Sequence, residues 1–103
     1  MQSSDPEDVE VFSHGIRRSR LTVRFDLVPP LAIRAIADRM AKGAEKWGEN
    51  TWRNGDGAYE AACLNHLMNH LNLHQCGDTT DDHLAAVITN AAMLYELRAN
   101  RLP

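Results

Sequence analysis

A chain of 103 residues with a formal net charge of −3 is long enough for one domain. Its isoelectric point near 5.9 excludes general binding to nucleic-acid polymers, because such binding depends on neutralising phosphates with basic residues. The sequence has no leader pattern and no apolar run of about 18 residues, so we expect a cytoplasmic protein that does not contact a membrane.

The N-terminal residues, 1–23, are predicted to be a flexible or extended arm, followed by an α-helical domain over 24–103. The opening "MQSSDPEDVEVFSHG" mixes acids, serine and proline, as mobile tails do. Arginine side chains bind phosphate oxygens bidentately, so the arm is a candidate for phosphate binding, with a solvated arm or a contact to a neighbouring subunit as alternatives. The arginines are Arg17, Arg18, Arg20 and Arg24. Only about 75 residues remain for a core, which favours a homo-oligomer.

The stretch "LVPPLAIRAIADRMAKGAEKWG" predicts the first helix, because Pro29 and Pro30 suit a first turn and Gly48 suits a helix end. Apolar residues at spacings of three and four predict its core stripe: Ile33, Ile36, Met40, Ala44 and Trp47. The loop "GENTWRNGDG" follows. It carries Trp52, which either packs on the bundle or offers a face on which a purine or ribose stacks.

The second helix, predicted from about Ala58 to Cys76, is unusual because residues 61–77 carry no Asp, Glu, Lys or Arg. We expect such a helix to lack a broad solvent face. A helical wheel gives an apolar stripe of Cys63, Leu64, Leu67 and Leu71. Opposite it lie Asn65, Asn69 and Asn72, and at the boundary lie His66, His70 and His74. Polar groups on a buried helix need hydrogen-bond partners. The two cysteines are expected to be buried thiols.

A third helix is predicted from Leu84 to Tyr95, opened by a capping box of Thr79 and Asp82. The short connection before it predicts an antiparallel hairpin with the second helix. The hairpin would bring the His/Asn stripe toward His83 and Asn90, which share a face of the third helix.

Two kinds of metal site are possible in this hairpin. His66 and His70 have the i, i+4 spacing of zinc or iron ligands, but the same spacing suits hydrogen-bonded core histidines, which we favour. A magnesium site needs carboxylates together with substrate phosphates. Its candidates are Glu45, Glu49, Glu60, Asp78, Asp81 and Asp82.

Several motifs together resemble a known family. They are "RFDLVPPLAIRAIADRMAKGAEKWGENTW", then "NHL", then "GD", then "HLAAVITNAAMLYEL". The most specific parts are R-x-D-L-x-P-P, G-A-x-K-aromatic-G and H-L-A-x4-N-A. They resemble a phage-borne family of dATP/dGTP diphosphohydrolase N-terminal domains, which is similar to the MazG-like all-α nucleoside triphosphate pyrophosphohydrolases. The resemblance implies an all-α, MazG-like helical bundle completed by oligomerisation, a nucleotide ligand, and Mg²⁺-dependent release of pyrophosphate in active members.

The resemblance also assigns family motif positions to six residues, which are Asp26, Lys46, Trp52, His66, His83 and Asn90. The chain departs from the family at three places, with Asn65-His66 for Arg-His, Thr51-Trp52 for Asn-Trp and Gly77-Asp78 for Gly-Glu. The paired E-x-x-E and E-x-x-D carboxylates of the wider group are not present as such. Only Asp78 and Asp81 keep that spacing.

The sequence therefore predicts a nucleotide-binding helical domain over 24–103 and, as its function, a Mg²⁺-dependent (d)NTP diphosphohydrolase. The predicted catalytic residues are Lys46 and Asp78. The predicted nucleotide-binding residues are Arg24, Trp52, His66, Asn69, His70, His83 and Asn90. The predicted metal ligands are Glu60, Asp81 and Asp82. The alternative is a protein without catalysis or cofactor that sequesters a nucleotide immune signal, either ADP-ribose-like or cyclic. A pocket that lacks metal carboxylates still binds through stacking, amides and arginines.

Overall fold

A computed structural model of the chain describes residues 8–101, and α-helices make up most of that range. The elements are, in chain order, β1 (Val9–Val11), β2 (Arg17–Ser19), α1 (Pro30–Trp47), α2 (Gly57–Gln75) and α3 (His83–Arg101). The predicted all-α class is confirmed, with one small two-stranded sheet in addition.

The two strands form an antiparallel ribbon in which Glu10 lies opposite Arg18. The chain reverses through Ser13–Gly15, where His14 and Gly15 have positive φ angles. We expected a mobile tail up to residue 15, whereas Val9–Val11 is held as a strand; residues 1–7 lie outside the described range. The Val-Glu-Val alternation was the signal for this strand. The division into arm and helical domain stays a prediction.

Helix α1 has the predicted boundaries, since Pro30 is its first residue and Gly48 ends it with φ 93°. The predicted stripe is partly wrong, because Ile33 is 52% exposed and Trp47 is 73% exposed. The half-buried side of α1 includes a neighbouring row of small residues around an arginine: Ala35, Arg39 and Gly43. The middle of the predicted stripe, Ile36, Met40 and Ala44, is half-buried as expected, and the small side chains beside it share the packed side of α1.

Helices α2 and α3 form the predicted antiparallel hairpin. The helix α2 packs through a row that includes Cys63, Leu67 and His70, so Leu64 and Leu71 of the predicted stripe are exposed instead. At about 100° per residue, Asn69 lies far around the helix from this row. The expectation that α2 lacks a broad solvent face is therefore wrong for the chain by itself.

Helix α3 supports the other two helices. Both α1 and α2 pack principally on α3 and make little contact with each other. The buried residues of α3 are His83, Ala85, Ala86, Thr89 and Leu97. A helix covered on two sides must avoid charge, which explains the charge-free sequence from Leu84 to Tyr95.

The chain exposes a large surface for its mass, and large apolar side chains contribute to it. The chain exposes 8536 Å². A compact monomer of 11.5 kDa exposes about 5,800 Å². The radius of gyration is 18.7 Å, compared with about 13 Å for a compact chain of this length. Exposed large apolar side chains lie both before α1, such as Phe25 and Leu27, and on the outer side of α2, such as Leu64 and Met68.

Two further expectations concern side chains and membranes. Cys63 is buried as expected, but Cys76 is exposed, because it follows the last turn of α2; both thiols are free. No helix within residues 8–101 has the length and apolar character that crossing a bilayer requires.

The N-terminus of α3 is capped by Asp82 and not by the predicted Thr79. The Asp82 carboxylate accepts a hydrogen bond from the backbone N–H of Ala85 at 3.1 Å. Its carbonyl accepts the first intrahelical bond, from the N–H of Ala86. The capping position was therefore predicted about one turn too early in the chain.

Replacing Asp82 with alanine is expected to lower the free energy of unfolding by about 1 kcal/mol, because the cap would be lost. Urea unfolding followed by circular dichroism measures this. Asp82→Asn keeps an acceptor and should differ little from the parent chain. Thr79→Ala should be neutral, and a larger loss for Thr79→Ala than for Asp82→Ala would contradict the assignment.

Candidate functional site

A groove of about 1000 Å³ runs between α1 and α2, with α3 as its floor. Thr89, Asn90 and Met93 lie on the floor. Its walls include Met40 of α1 and His66 of α2. The groove exists because α1 and α2 lean on α3 from two sides without closing on each other.

The loop after α1 closes one end of the groove, where Trp52 of the loop and Tyr59 of α2 present aromatic rings. Asn50 adopts a left-handed conformation, φ 59°, and a 3-10 turn follows at Thr51–Asn54. The Arg53 guanidinium lies 4.4 Å from the Trp52 ring centroid and donates to the Asn50 side chain at 3.0 Å. Trp52 is half-buried, so it packs on the bundle and also lines the groove. A Cβ on Gly55 would collide with the Tyr59 ring, which also lines the groove.

The floor of the groove presents polar atoms that α3 itself orients. The Thr89 hydroxyl donates to the carbonyl of Ala85 at 2.7 Å, and the Asn90 amide Nδ2 donates to the carbonyl of Ala86 at 2.9 Å. These bonds fix both side chains and leave the Asn90 Oδ1 able to accept a hydrogen bond.

Few charges line this surface. Burial raises the pKa of Cys63 and of Tyr59, so both stay neutral near pH 7. Two lining residues carry charge, Arg39 and Glu49.

A second cluster lies at the turn between α2 and α3, and we call it the histidine corner: His70, Asp78, Asp81 and His83. His83 is only 4% exposed, and its Nε2 lies 2.5 Å from a carboxylate oxygen of Asp78. Its Nδ1 lies 2.9 Å from the Nδ1 of His70. An ionised carboxylate only accepts, so His83 Nε2 carries a proton and donates to Asp78. With His83 neutral, its Nδ1 accepts from the Nδ1–H of His70.

Asp81 joins the histidine corner to α1 through a forked ion pair with Arg39, whose Nη1 lies 3.0 Å from the carboxylate. Hydrogen bonding from Arg39 lowers the pKa of Asp81, and hydrogen bonds from Thr80 and His83 lower the pKa of Asp78. Burial, followed by the charge of Arg39, lowers the pKa of His70. Both carboxylates are therefore ionised and His70 is neutral near pH 7.

The structure brings the predicted site residues into two neighbouring groups. Trp52, His66 and Asn90 line the groove. The histidine corner holds His70, His83, Asp78 and Asp81, and Asp82 follows it as the cap of α3. Arg39 connects the two groups, since it lines the groove and pairs with Asp81.

Four predicted residues lie outside both groups. Arg24 pairs with Asp26 at 2.7 Å in the segment before α1, beside a separate cavity of about 380 Å³. Lys46 is exposed, with its Nζ 5.8 Å from the Trp47 ring. Asn69 is exposed. Glu60 pairs with Arg101 in the first turns of α2, about four helical turns from Asp81 and Asp82.

This separation decides what the chain by itself can offer a metal ion. Glu60 is in the first turn of α2, whereas Asp81 and Asp82 follow the last turn, so they are too far apart to share an ion. The predicted ligands therefore do not converge within one chain. Within residues 8–101, one group of three possible ligands stands together, namely His70, Asp81 and His83. Two imidazoles and one carboxylate do not fit Mg²⁺, which prefers oxygen ligands.

Sequence reasoning missed Arg39 and gave Thr89 no role. Arg39 lies between Ala35 and Gly43 on one row of α1. A charged residue between two small ones, each four positions away, is the sequence pattern that indicates a packed arginine. Thr89 was visible as one of the two polar residues in the charge-free part of α3, beside Asn90.

Comparisons with known proteins identify the family but no individual relative. No curated protein and no solved structure matches the chain. Residues 13–102 match the family described as dATP/dGTP diphosphohydrolase, N-terminal, and the chain therefore belongs to that family.

Proposed function

We propose that the groove binds a purine nucleoside triphosphate and that the chain is a (d)NTP diphosphohydrolase, in which water splits the triphosphate into a monophosphate and pyrophosphate. The observation that carries this proposal is a groove of about 1000 Å³ with aromatic rings at one end and fixed polar atoms on its floor. Small-molecule sites commonly measure about 300–1,000 Å³. The family description supplies the purine nucleotides and the reaction.

The lining residues suit the parts of a nucleotide in different ways. Trp52 and Tyr59 offer flat faces for a base, and stacking of this kind tolerates either purine. His66 and the Asn90 Oδ1 offer hydrogen bonds to the base edge or the ribose. We place the phosphates toward Arg39, since a guanidinium binds phosphate oxygens in a forked geometry. Arg39 would then exchange its bonds to Asp81 for bonds to phosphate.

Mg²⁺ is the ion we propose for the reaction, as the family description suggests metal dependence. The histidine corner does not fit this ion, so we assign no catalytic step to Mg²⁺ held there. Glu49 is the carboxylate that lines the groove. Arg39, Trp52 and Asn90 bind and orient the nucleotide in this proposal.

A second candidate function is sequestration of an intact nucleotide, such as a cyclic or ADP-ribose-like signal. One observation favours it: within residues 8–101, no three carboxylates come together as a possible metal site. A groove built from rings, amides and one guanidinium binds a nucleotide without needing an ion.

One experiment separates these functions. Purified chain is incubated with dATP, dGTP, the ribonucleotides, cyclic nucleotides and ADP-ribose, each with Mg²⁺ and with EDTA. After filtration and heat release, chromatography identifies the nucleotides in both fractions. Monophosphate and pyrophosphate formed only with Mg²⁺ support the hydrolase. An intact nucleotide released from the protein, with or without Mg²⁺, supports sequestration, and no bound or converted nucleotide would refute both.

We also propose that the chain is a homo-oligomer. It exposes about 2,700 Å² more than a compact monomer of its mass would. A standard protein interface covers about 800 Å² on each partner. The apolar outer side of α2, with Leu64 and Met68, is the surface we assign to the contact. Sedimentation at two chain concentrations tests this, and a monomer at both would refute it.

A further inference from the structure

The histidine corner has features that simple packing of a buried histidine does not require. Three potential ligand atoms, from His70, Asp81 and His83, all lie within 4.8 Å of one another. They come from three separate places, namely the last third of α2, the connecting loop and the first residue of α3. The i, i+4 pair considered from sequence, His66 and His70, does not supply this set, because His66 lines the groove instead.

We propose that the histidine corner binds one divalent transition-metal ion through His70, Asp81 and His83. Two imidazoles and one carboxylate, with the remaining positions open to water, are a donor set for Mn²⁺, Fe²⁺, Co²⁺, Ni²⁺ or Zn²⁺. This inference is independent of the proposed function, because it makes no claim about the nucleotide or the reaction.

The spacing of the two histidine nitrogens is one that a shared ion can span. Their Nδ1 atoms are 2.9 Å apart. With metal–nitrogen bonds of about 2.05 Å, that separation corresponds to an angle of about 90° at the metal, the value for adjacent positions of an octahedron. On binding, the proton on His70 Nδ1 moves by exchange with water to its Nε2, so that both Nδ1 lone pairs face the ion and both rings stay neutral.

Neighbouring groups hold His83 and Asp81 in place before any ion binds. His83 donates its other ring N–H to Asp78, and metal-binding histidines commonly use a carboxylate in this way to fix the ring. Asp78 is itself held by the Thr80 hydroxyl at 2.6 Å. Asp81 is oriented by Arg39 and by the backbone N–H of Asp82 at 2.7 Å. On binding an ion, the half-exposed Asp81 side chain would exchange part of its bonding to Arg39 for a bond to the metal.

Cobalt titration of the full chain tests the proposal. The chain is stripped with EDTA, desalted and titrated with Co²⁺ in a large excess of Mg²⁺, while visible absorption reports the coordination. Metal analysis after desalting gives the stoichiometry. We expect one Co²⁺ per chain, displaced by Zn²⁺ but not by Mg²⁺. No bound Co²⁺, or full displacement by Mg²⁺, would overturn the proposal.

Matched variants assign the ligands. His70→Ala is expected to weaken Co²⁺ binding by at least about 10-fold and to change the absorption band. His74→Ala removes an exposed histidine from the same helix and should bind within about twofold of the parent chain, as expected for a residue outside the ligand set. Equal affinities in these two variants would overturn the proposal. Asp81→Asn, on the exposed loop, provides a second ligand test if His70→Ala unfolds: weaker binding supports the site, and unchanged binding refutes it.

Discussion

Replacing Ala86 with leucine is expected to lower the free energy of unfolding by about 2 kcal/mol, within the range of about 1–3 kcal/mol for overpacked cores. Ala86 is 0% exposed on α3, the helix that carries both others. Three extra carbon atoms there must displace a packed helix. Urea unfolding at one fixed chain concentration measures the change.

The control is Ala92→Leu, at an exposed position of the same helix. Leucine and alanine are both good helix formers, so this variant should stay within about 0.5 kcal/mol of the parent chain. A similar loss in both variants would mean that helix propensity, and not packing at Ala86, sets the stability.

Removing the Trp52 ring is expected to weaken nucleotide binding by about 10-fold or more, because stacking on an aromatic side chain contributes about 1–3 kcal/mol per base. Trp52→Ala is compared with the parent chain by titration with dATP and with dGTP. Both nucleotides should lose affinity to a similar degree, since stacking does not read the base edge.

Two further variants separate stacking from loop stability. Trp52→Phe keeps an aromatic face and should recover most of the affinity, whereas a purely structural role for the indole would leave it impaired. Tyr95→Ala removes an exposed ring outside the groove and should bind normally. Unchanged binding in Trp52→Ala would remove Trp52 from the site.

The helices were predictable because their signals are local. Pro30 and Gly48 mark the ends of α1, and the short connection before His83 forces the α2–α3 hairpin. Which side of each helix packs was not predictable from apolar residues alone. Arg39 and His70 lie on half-buried rows while Ile33 and Leu64 are exposed, because α3 takes up small and polar residues at these contacts.

Several residues of the candidate site were predicted from the sequence, but the way in which they are arranged was not. Trp52, His66 and Asn90 meet in the groove, and His70 meets His83 across the hairpin. Glu60 and Asp81 were both proposed as metal ligands, but Glu60 lies in the first turn of α2 and Asp81 follows its last turn, so the length of the helix keeps them apart. Arg39 was missed because its role depends on the ion pair with Asp81, 42 residues away.

Because α3 lies beneath both other helices, the hydrogen-bonding groups of the groove and the width of the groove are set separately. Asn90, which we propose as a ligand contact, is anchored to the backbone of α3 itself, as is its neighbour Thr89. The aperture above them depends on how far α1 and α2 tilt, and each tilt is set at a separate interface with α3. Substitutions at one interface therefore alter the largest ligand admitted without disturbing its hydrogen-bonding partners. Such an architecture allows relatives to change ligand size and ligand chemistry in independent evolutionary steps.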